Sequence, residues 1–476
     1  MKTVELSKWR QRLKYMASDL VMTSIAFFLF DILRFKILSL YNNETDYVWS
    51  MIFSHKIMLE QTIIPIALMA VYWLSGYYNK PFHVSRLQEF ITTFYSAVFN
   101  AIIIFFVLLI NDRATMRSTD YLLIFSLIAL LLVFTYIGRL FITTLTLKHI
   151  RKHNLRTKVL IVGEPTAALR VREQLLSTKS LMGYEIVGYI PTADHKDAPQ
   201  ISSVWDEKDI EKICSEQAID QIILAPSPTD QERVVLALLD RLFPLGIPIR
   251  IFPDTLSYFT SNIRMNDILG EPFINLTSPS LGEFSKNVKS TADVLLSAIA
   301  LVALSPLLLI IATAVRLSST GPVIYKQQRI GKNRKPFMIY KFRTMYTDAE
   351  KNGPELSSEG DSRITEIGRI MRKYRLDELP QFWNVLKGDM SIVGPRPERE
   401  YYIEKIRRHA PYYSLVFQVK PGITSWGMVK FGYASSIRQM VERTKFDLIY
   451  ITNMSIALDI KIMIYTVRTI FRGAGM

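Results

Sequence analysis

The chain has one cysteine, Cys214, in 476 residues. No disulfide can form within it, and a cytosol-facing location suits it. Its six histidines, His55, His83, His149, His153, His195 and His409, are scattered without a ligand-spaced cluster, which argues against a zinc centre. No small-residue cleavage site follows the basic N-terminus, so the first apolar run reads as a retained anchor. No DNA- or RNA-binding motif accompanies the lysine and arginine excess, which sets nucleic acid aside as a partner.

What the chain does have is apolar length and positive charge gathered at one end. Its size exceeds one ordinary core, so two or three domains are expected. A positive mean hydropathy points to membrane segments beside soluble ones. From Lys286 onward 30 Lys+Arg face 16 Asp+Glu, a net +14 of the chain's +15. Attraction to anionic lipid headgroups or a nucleotide diphosphate therefore belongs to the last part.

Apolar runs near 18–40, 57–78, 91–111 and 121–146 each approach the roughly 20 residues that span a bilayer. A four-span domain over 1–150 is expected. Lys2, Lys8, Arg10, Arg12 and Lys14, the Lys80/Arg86 loop and the Lys148–Lys152 exit read as inside segments. The loop with Asn42, Asn43, Glu44 and Asp46 reads as outside; the Asp112 loop conflicts, because it also carries Arg113 and Arg117. A fifth run, Val294 to Val315, is interrupted by Ser305-Pro306, and Pro306 must break or bend a helix against the carbonyl of Val302. It reads either as a fifth kinked span or as a re-entrant hairpin over 290–318. The hairpin is preferred because it keeps the basic end inside.

Strands at Lys158–Gly163, Tyr184–Tyr189, Asp220–Leu224 and Ile247–Ile251 alternate with helical patterns near 166–178, 206–217 and 229–243. That alternation predicts a Rossmann-like α/β domain within 151–285, ending in a linker with Pro253, Pro272, Pro279 and Gly282. Its first turn, Gly163-Glu-Pro-Thr-Ala-Ala168, keeps one of the three glycines of a dinucleotide fingerprint. Glu164 puts negative charge where a pyrophosphate would lie, so ordinary NAD binding is not expected.

The densest chemistry lies in 286–476. Gln327-Gln328-Arg329-Ile-Gly331-Lys332 reads as a turn offering a guanidinium. Lys341 and Arg343 alternate along a strand and should share a face. Arg369 and Arg372 precede the adjacent carboxylates Asp377-Glu378, and Asn384, Lys387, Asp389 and Pro395-Arg396-Pro397 follow. A core tolerates buried charges only when paired, whereas a site that handles a phosphate ester with a divalent metal uses nearly all of these groups.

Lys341-Phe-Arg-Thr-Met, Leu376-Asp-Glu-Leu-Pro-Gln381, Asn384-Val-Leu-Lys-Gly-Asp-Met-Ser391 and Gly394-Pro-Arg-Pro397 resemble the signature of the bacterial sugar transferases. These are the polyisoprenyl-phosphate hexose-1-phosphate, or monotopic phosphoglycosyl, transferases. The four spans and Rossmann-like insert resemble the family's long form, typified by undecaprenyl-phosphate glucose phosphotransferases, and Ser305-Pro306 fits its re-entrant helix. The resemblance implies a multi-pass protein of the bacterial inner membrane with its α/β catalytic domain on the cytoplasmic face. It implies transfer of a hexose-1-phosphate, glucose by analogy, from a UDP-sugar to undecaprenyl phosphate, with UMP released, and a role in starting exopolysaccharide, capsule or O-antigen synthesis. Asp377 would be the nucleophile, and Glu378 would help hold Mg2+ with it or manage protons. Lys341, Arg343, Arg372 and Arg396 would bind phosphate or nucleotide, with Gln328 and Arg329 as further substrate contacts. Membrane lipids are expected partners, and homo-oligomer formation is left open.

One segment departs from the family: Pro421-Gly422-Ile-Thr424-Ser425-Trp426-Gly427-Met428 has Ser425 for a glycine and Met428 for a glutamine, which leaves galactose or an N-acetylated sugar open. Phe446 to Arg472 has helical spacing, as core or as an interfacial helix. A rival reading, a membrane-anchored NAD-dependent sugar-nucleotide dehydratase or epimerase, would use the Tyr401…Lys405 pair, but no glycine-rich turn precedes it after residue 286.

Overall fold

The computed structural model describes residues 2–42, 47–79, 86–108, 117–152, 156–177, 183–191, 204–206, 209–226, 232–251, 274–275, 281–347, 349, 353, 355 and 361–473. The loop residues Asn43, Glu44, Asp46, Lys80, Asp112 and Arg113 and the linker prolines Pro253, Pro272 and Pro279 lie outside them. Two compact units result, the first being essentially Met1–Arg156.

The first unit contains α1 (Lys2–Asn42), α2 (Tyr47–Ile52), α3 (His55–Leu74), α4 (Arg86–Val107) and α5 (Arg117–Lys152). Four of these are long and apolar enough to cross a bilayer: Trp9–Ser39, His55–Leu74, Arg86–Val107 and Asp120–Ile150. The first and last outrun the apolar stretches, because their polar ends continue the helix beyond the hydrophobic residues. Phe28, Phe99, Phe125, Ile137 and Phe141 point outward, while Phe27, Phe30, Ala97, Ala101, Leu127 and Leu131 fill the centre. Gly138 lets α5 approach Ser18 and Met22 of α1, where a Cβ would collide. A polar cluster is also sealed inside. Arg139 donates to Asp19 at 2.6 Å, Tyr78 donates to Asp19 at 2.7 Å, and Tyr77 donates to Glu89 at 2.5 Å. Charges at such depth persist only when paired.

In the second unit, β1 (Thr157–Gly163), α6 (Pro165–Ser177), β2 (Tyr184–Pro191), α7 (Ile210–Glu216), β3 (Gln221–Ala225), α8 (Glu232–Leu242), β4 (Ile249–Ile251) and β5 (Ile274–Asn275) form the middle domain. The strand order is β2-β1-β3-β4-β5, parallel except for β5. β3 is buried at every position, as a strand covered on both faces must be.

The last domain starts with α9 (Glu283–Ala303) and α10 (Ser305–Ser318), bent by 64°. Pro306 has no N–H for the carbonyl of Val302, and the Ser305 hydroxyl donates to that carbonyl instead, at 2.7 Å. Leu295, Ile299, Val302, Leu309, Ile310 and Leu317 are exposed along the pair. The polar face of α9 ties it down: Lys289 reaches Asp459 at 2.7 Å, and Asp293 accepts from the Ser391 hydroxyl at 2.6 Å.

The hairpin β6 (Ile324–Ile330) and β7 (Pro336–Phe342) follows, then α11 (Glu366–Lys373), α12 (Gln381–Lys387), β8 (Ser391–Val393), α13 (Glu400–His409), β9 (Gly422–Thr424), α14 (Trp426–Lys430), α15 (Ile437–Thr452) and α16 (Ile456–Phe471). Two sequence expectations change here. Gln327–Ile330 is strand rather than turn, the reversal coming at Gly331–Lys335. The tail is two helices, because Ser455 caps a new one by accepting from the backbone N–H of Leu458.

Candidate functional site

A cleft of about 470 Å3 opens in the last domain. The β6–β7 hairpin brings Arg329 and Lys341 to it, and α11 brings Arg372. Arg375 turns the chain in a left-handed conformation (φ 53°), which a non-glycine residue adopts at a cost, and a single 3-10 turn then presents Asp377 and Glu378. Arg396 enters from the loop after β8, Met428 from α14 and Arg443 from α15.

The two carboxylates have different surroundings. Glu378 Oε1 accepts from Lys341 Nζ at 3.0 Å and from both Arg396 terminal nitrogens at 3.3 Å, and Oε2 accepts from Arg375 Nη1 at 3.5 Å. Burial opposes its ionisation, but Lys341, Arg396 and Arg375 together outweigh it and hold the carboxyl well below its ordinary range. Asp377 is equally buried, and among the described residues no hydrogen bond or ion pair reaches its carboxylate. Burial, with the neighbouring charge of Glu378, pushes it up to about 6 against the pull of Lys341 and the arginines. Glu378 is thus fixed as the counter-ion of three cations, and Asp377 faces the cleft uncommitted.

A step that needs the Asp377 carboxylate therefore has an acid limb. Rate should climb as pH rises through about 6 and level off above it. A pH profile of the single-turnover rate checks this; a limb near 4 would remove the burial argument.

The remaining expected residues fall differently. Lys341 and Arg396 meet at Glu378, and Arg329 is held at the rim by the Pro397 carbonyl at 3.2 Å and Gln327 at 2.8 Å. Arg372 lines the cleft and donates to the Thr344 hydroxyl at 2.9 Å. Arg343 lies just beyond β7 and also lines the cleft, but its guanidinium is engaged by backbone rather than by Glu378. It binds the carbonyls of Pro322 at 2.7 Å and Ser319 at 2.6 Å, closing off the end of α10. Gln328 is exposed and off the cleft, the opposite strand face offering Gln327 instead. The Tyr401–Lys405 pair bonds to itself at 2.5 Å on α13, outside the cleft lining.

Sequence reading missed Arg375, Glu398, Arg443 and the job of Asn384. Glu398 accepts from Arg443 at 2.5 Å and Arg329 at 3.4 Å, which braces the Pro-Arg-Pro loop. Asn384 staples α12 to β7, donating to the Met338 carbonyl at 2.7 Å and accepting from Tyr340 N–H at 3.0 Å. Arg375's place three residues before Glu378 was the available signal. In the divergent segment, Ser425 caps α14 by accepting from Met428 N–H at 2.9 Å, and the Met428 sulfur lies 3.2 Å from Arg396 Nη1.

Magnesium binds through one or two carboxylates plus substrate phosphates. Asp377 fits that need. Glu378, expected to be a second ligand, has its oxygens engaged by three cations, and among the described residues no three His, Cys, Asp or Glu side chains gather. In the middle domain the N-terminus of α6 is closed by its own chain: Glu164 accepts from Ala167 N–H at 2.9 Å and from the Thr166 hydroxyl at 2.6 Å. That carboxylate stands where the phosphates of a dinucleotide would meet the helix, so this turn does not fit one.

The fold and site define a multi-domain membrane protein whose last α/β domain holds a cation-lined cleft around a carboxylate pair. Residues 284–473 match the family described as bacterial sugar transferase, and residues 74–253 match one described as CoA-binding domain. The chain belongs to the bacterial sugar transferase family. It is 43% identical over 188 residues to the UDP-N-acetylgalactosamine-undecaprenyl-phosphate N-acetylgalactosaminephosphotransferase of Aeromonas hydrophila, covering 40% of this chain and 44% of that one. It is 32% identical over 329 residues to the UDP-glucose:undecaprenyl-phosphate glucose-1-phosphate transferase of Escherichia coli K12, covering 68% and 69%. A Xanthomonas campestris protein of the same description is 32% identical over 330 residues, covering 67% and 68%. The alignment thus spans less than half of the Aeromonas protein and about two thirds of the other two.

Proposed function

We propose that this protein transfers a sugar-1-phosphate from a UDP-sugar to undecaprenyl phosphate, with Asp377 as the covalent nucleophile. The observation that carries the reading is the uncommitted Asp377 carboxylate in a cleft walled by Lys341, Arg372, Arg375 and Arg396. An Asp377 oxygen attacks the sugar-bearing phosphorus, the bond to the bridging oxygen breaks, and UMP leaves with that oxygen. A phosphate oxygen of the lipid then attacks the same phosphorus and frees the carboxylate, giving a lipid-diphosphate-sugar. The cations hold phosphate oxygens and lower the repulsion that an anionic nucleophile meets. Magnesium bound by Asp377 and the substrate phosphates would neutralise further charge.

The membrane arrangement belongs to the same proposal. The Ser305-Pro306 bend makes a re-entrant dip, which keeps the cleft on the cytoplasmic face of the inner membrane, where UDP-sugars are made. In Pro306→Ala, residue 306 regains an N–H for the Val302 carbonyl, and the pair should straighten toward a span. A C-terminal cysteine should then become reachable by an impermeant reagent in intact cells. Labelling of that cysteine from outside in the wild type would defeat the dip.

The reaction is tested by radiolabel from a panel of UDP-sugars. UDP-glucose and UDP-N-acetylgalactosamine come first, because the named relatives use those sugars. Label should enter an organic-extractable lipid; NAD-dependent change of the free sugar nucleotide would favour the dehydratase or epimerase reading instead.

A further inference from the structure

We propose that Asp240 of the middle domain is a positioning residue for the cleft, acting through the tip of the β6–β7 hairpin. Asp240 sits on α8 with 3% of its surface exposed. It accepts from Arg334 Nη1 at 3.0 Å, from Arg407, and from the Ser414 hydroxyl at 3.0 Å. All three donors belong to the last domain. Arg334 also donates to Glu400 at 2.5 Å.

Arg334 is no ordinary tip residue. Asn333 and Arg334 are both left-handed, at φ 56° and 55°, a conformation cheap for asparagine and costly for arginine. Such a residue persists only where its surroundings over-determine it. Here the surroundings are Asp240 and Glu400. The strands that leave this tip carry Arg329 and Lys341 into the cleft. The middle domain also reaches the last one through apolar contact, since Tyr412 and Leu415 pack on its core around Leu239, Leu242 and Phe243. With the turn at Glu164 closed to the phosphates of a dinucleotide, bracing this hairpin is the task the middle domain's contacts support. The kinetic side of the inference rests on the transfer reading above.

The test uses full-length protein and Asp240→Asn, which keeps the shape and removes the charge. Amides of residues 324–342 should exchange with deuterium about fivefold faster, with exchange elsewhere in the last domain unchanged. The kcat/KM for UDP-sugar should fall about fivefold, because Arg329 and Lys341 lose their fixed places. Asp240→Glu should recover most of both. Wild-type exchange in the hairpin overturns the inference, and so does an increase spread evenly over the domain. If Asp240→Asn does not fold, Ser414→Ala is read by the same exchange, and an unchanged hairpin there overturns it too. A wild type that transfers no sugar would sink the transfer reading while the exchange result still decides this one.

Discussion

Asp377→Asn should fold, insert and bind UDP-sugar, yet transfer nothing measurable. An amide oxygen does not form the acyl phosphate, and among the described residues the only adjacent carboxylate, Glu378, is turned to Lys341, Arg375 and Arg396. A loss of three orders of magnitude or more, roughly what removing a nucleophile costs, is expected in single-turnover UMP release. The variant should also melt at or above the wild-type temperature at pH 7.5. The folded protein holds Asp377 at about 6, above its ordinary value of 3.8, so its ionised form opposes folding. That cost is fully present above pH 6 and vanishes below the unfolded value. The gain in melting temperature should therefore shrink as pH falls from 6 to 4. Retained transfer would take the nucleophile role from Asp377.

Glu378→Gln should cost less activity but more stability, for the opposite reason. The amide leaves Lys341, Arg375 and Arg396 without their shared counter-ion inside the fold. Removing one partner of a buried ion pair costs about 3–5 kcal/mol. Thermal melting in detergent or nanodiscs should fall clearly, and kcat/KM should drop on the order of a hundredfold as the cations lose their fixed places. The folded-state value of Glu378 lies below its unfolded one, so wild-type stability from this group is present above about pH 4.5 and fades at lower pH. The melting difference between wild type and variant should accordingly close as acid is added. Equal melting at pH 7 together with full activity would show that the cation cluster holds itself together without Glu378.

Much of this architecture was legible because simple periodicities carried it. Four apolar runs gave four membrane-length helices, and strand-helix alternation gave the parallel sheet of the middle domain. The Ser305-Pro306 bend followed from proline's missing N–H, although the Ser305 hydroxyl bond that repairs the Val302 carbonyl did not. Side-chain destinations were harder. Alternation along β7 put Lys341 and Arg343 on one face, but the strand ends at Phe342, and Arg343 turns to cap carbonyls near α10. For Gln328 a turn was expected where a strand runs, and a strand sends adjacent residues to opposite faces. Glu398 and Arg443 became visible only in three dimensions, because they lie on separate elements, whereas Arg375 stands three residues before its partner Glu378. The unequal roles of Asp377 and Glu378 could not be read from adjacency at all. They depend on which carboxylate the hairpin and the Pro-Arg-Pro loop approach.

Incubating purified protein with UDP-sugar alone, then reading its intact mass, bears most directly on the chemistry assigned to this aspartate. The account predicts an increase equal to one sugar phosphate, stoichiometric UMP, absence of both in Asp377→Asn, and loss of the added mass once undecaprenyl phosphate is supplied. An unmodified mass throughout, with UMP appearing only when the lipid is present, would mean direct transfer between substrates and would contradict it.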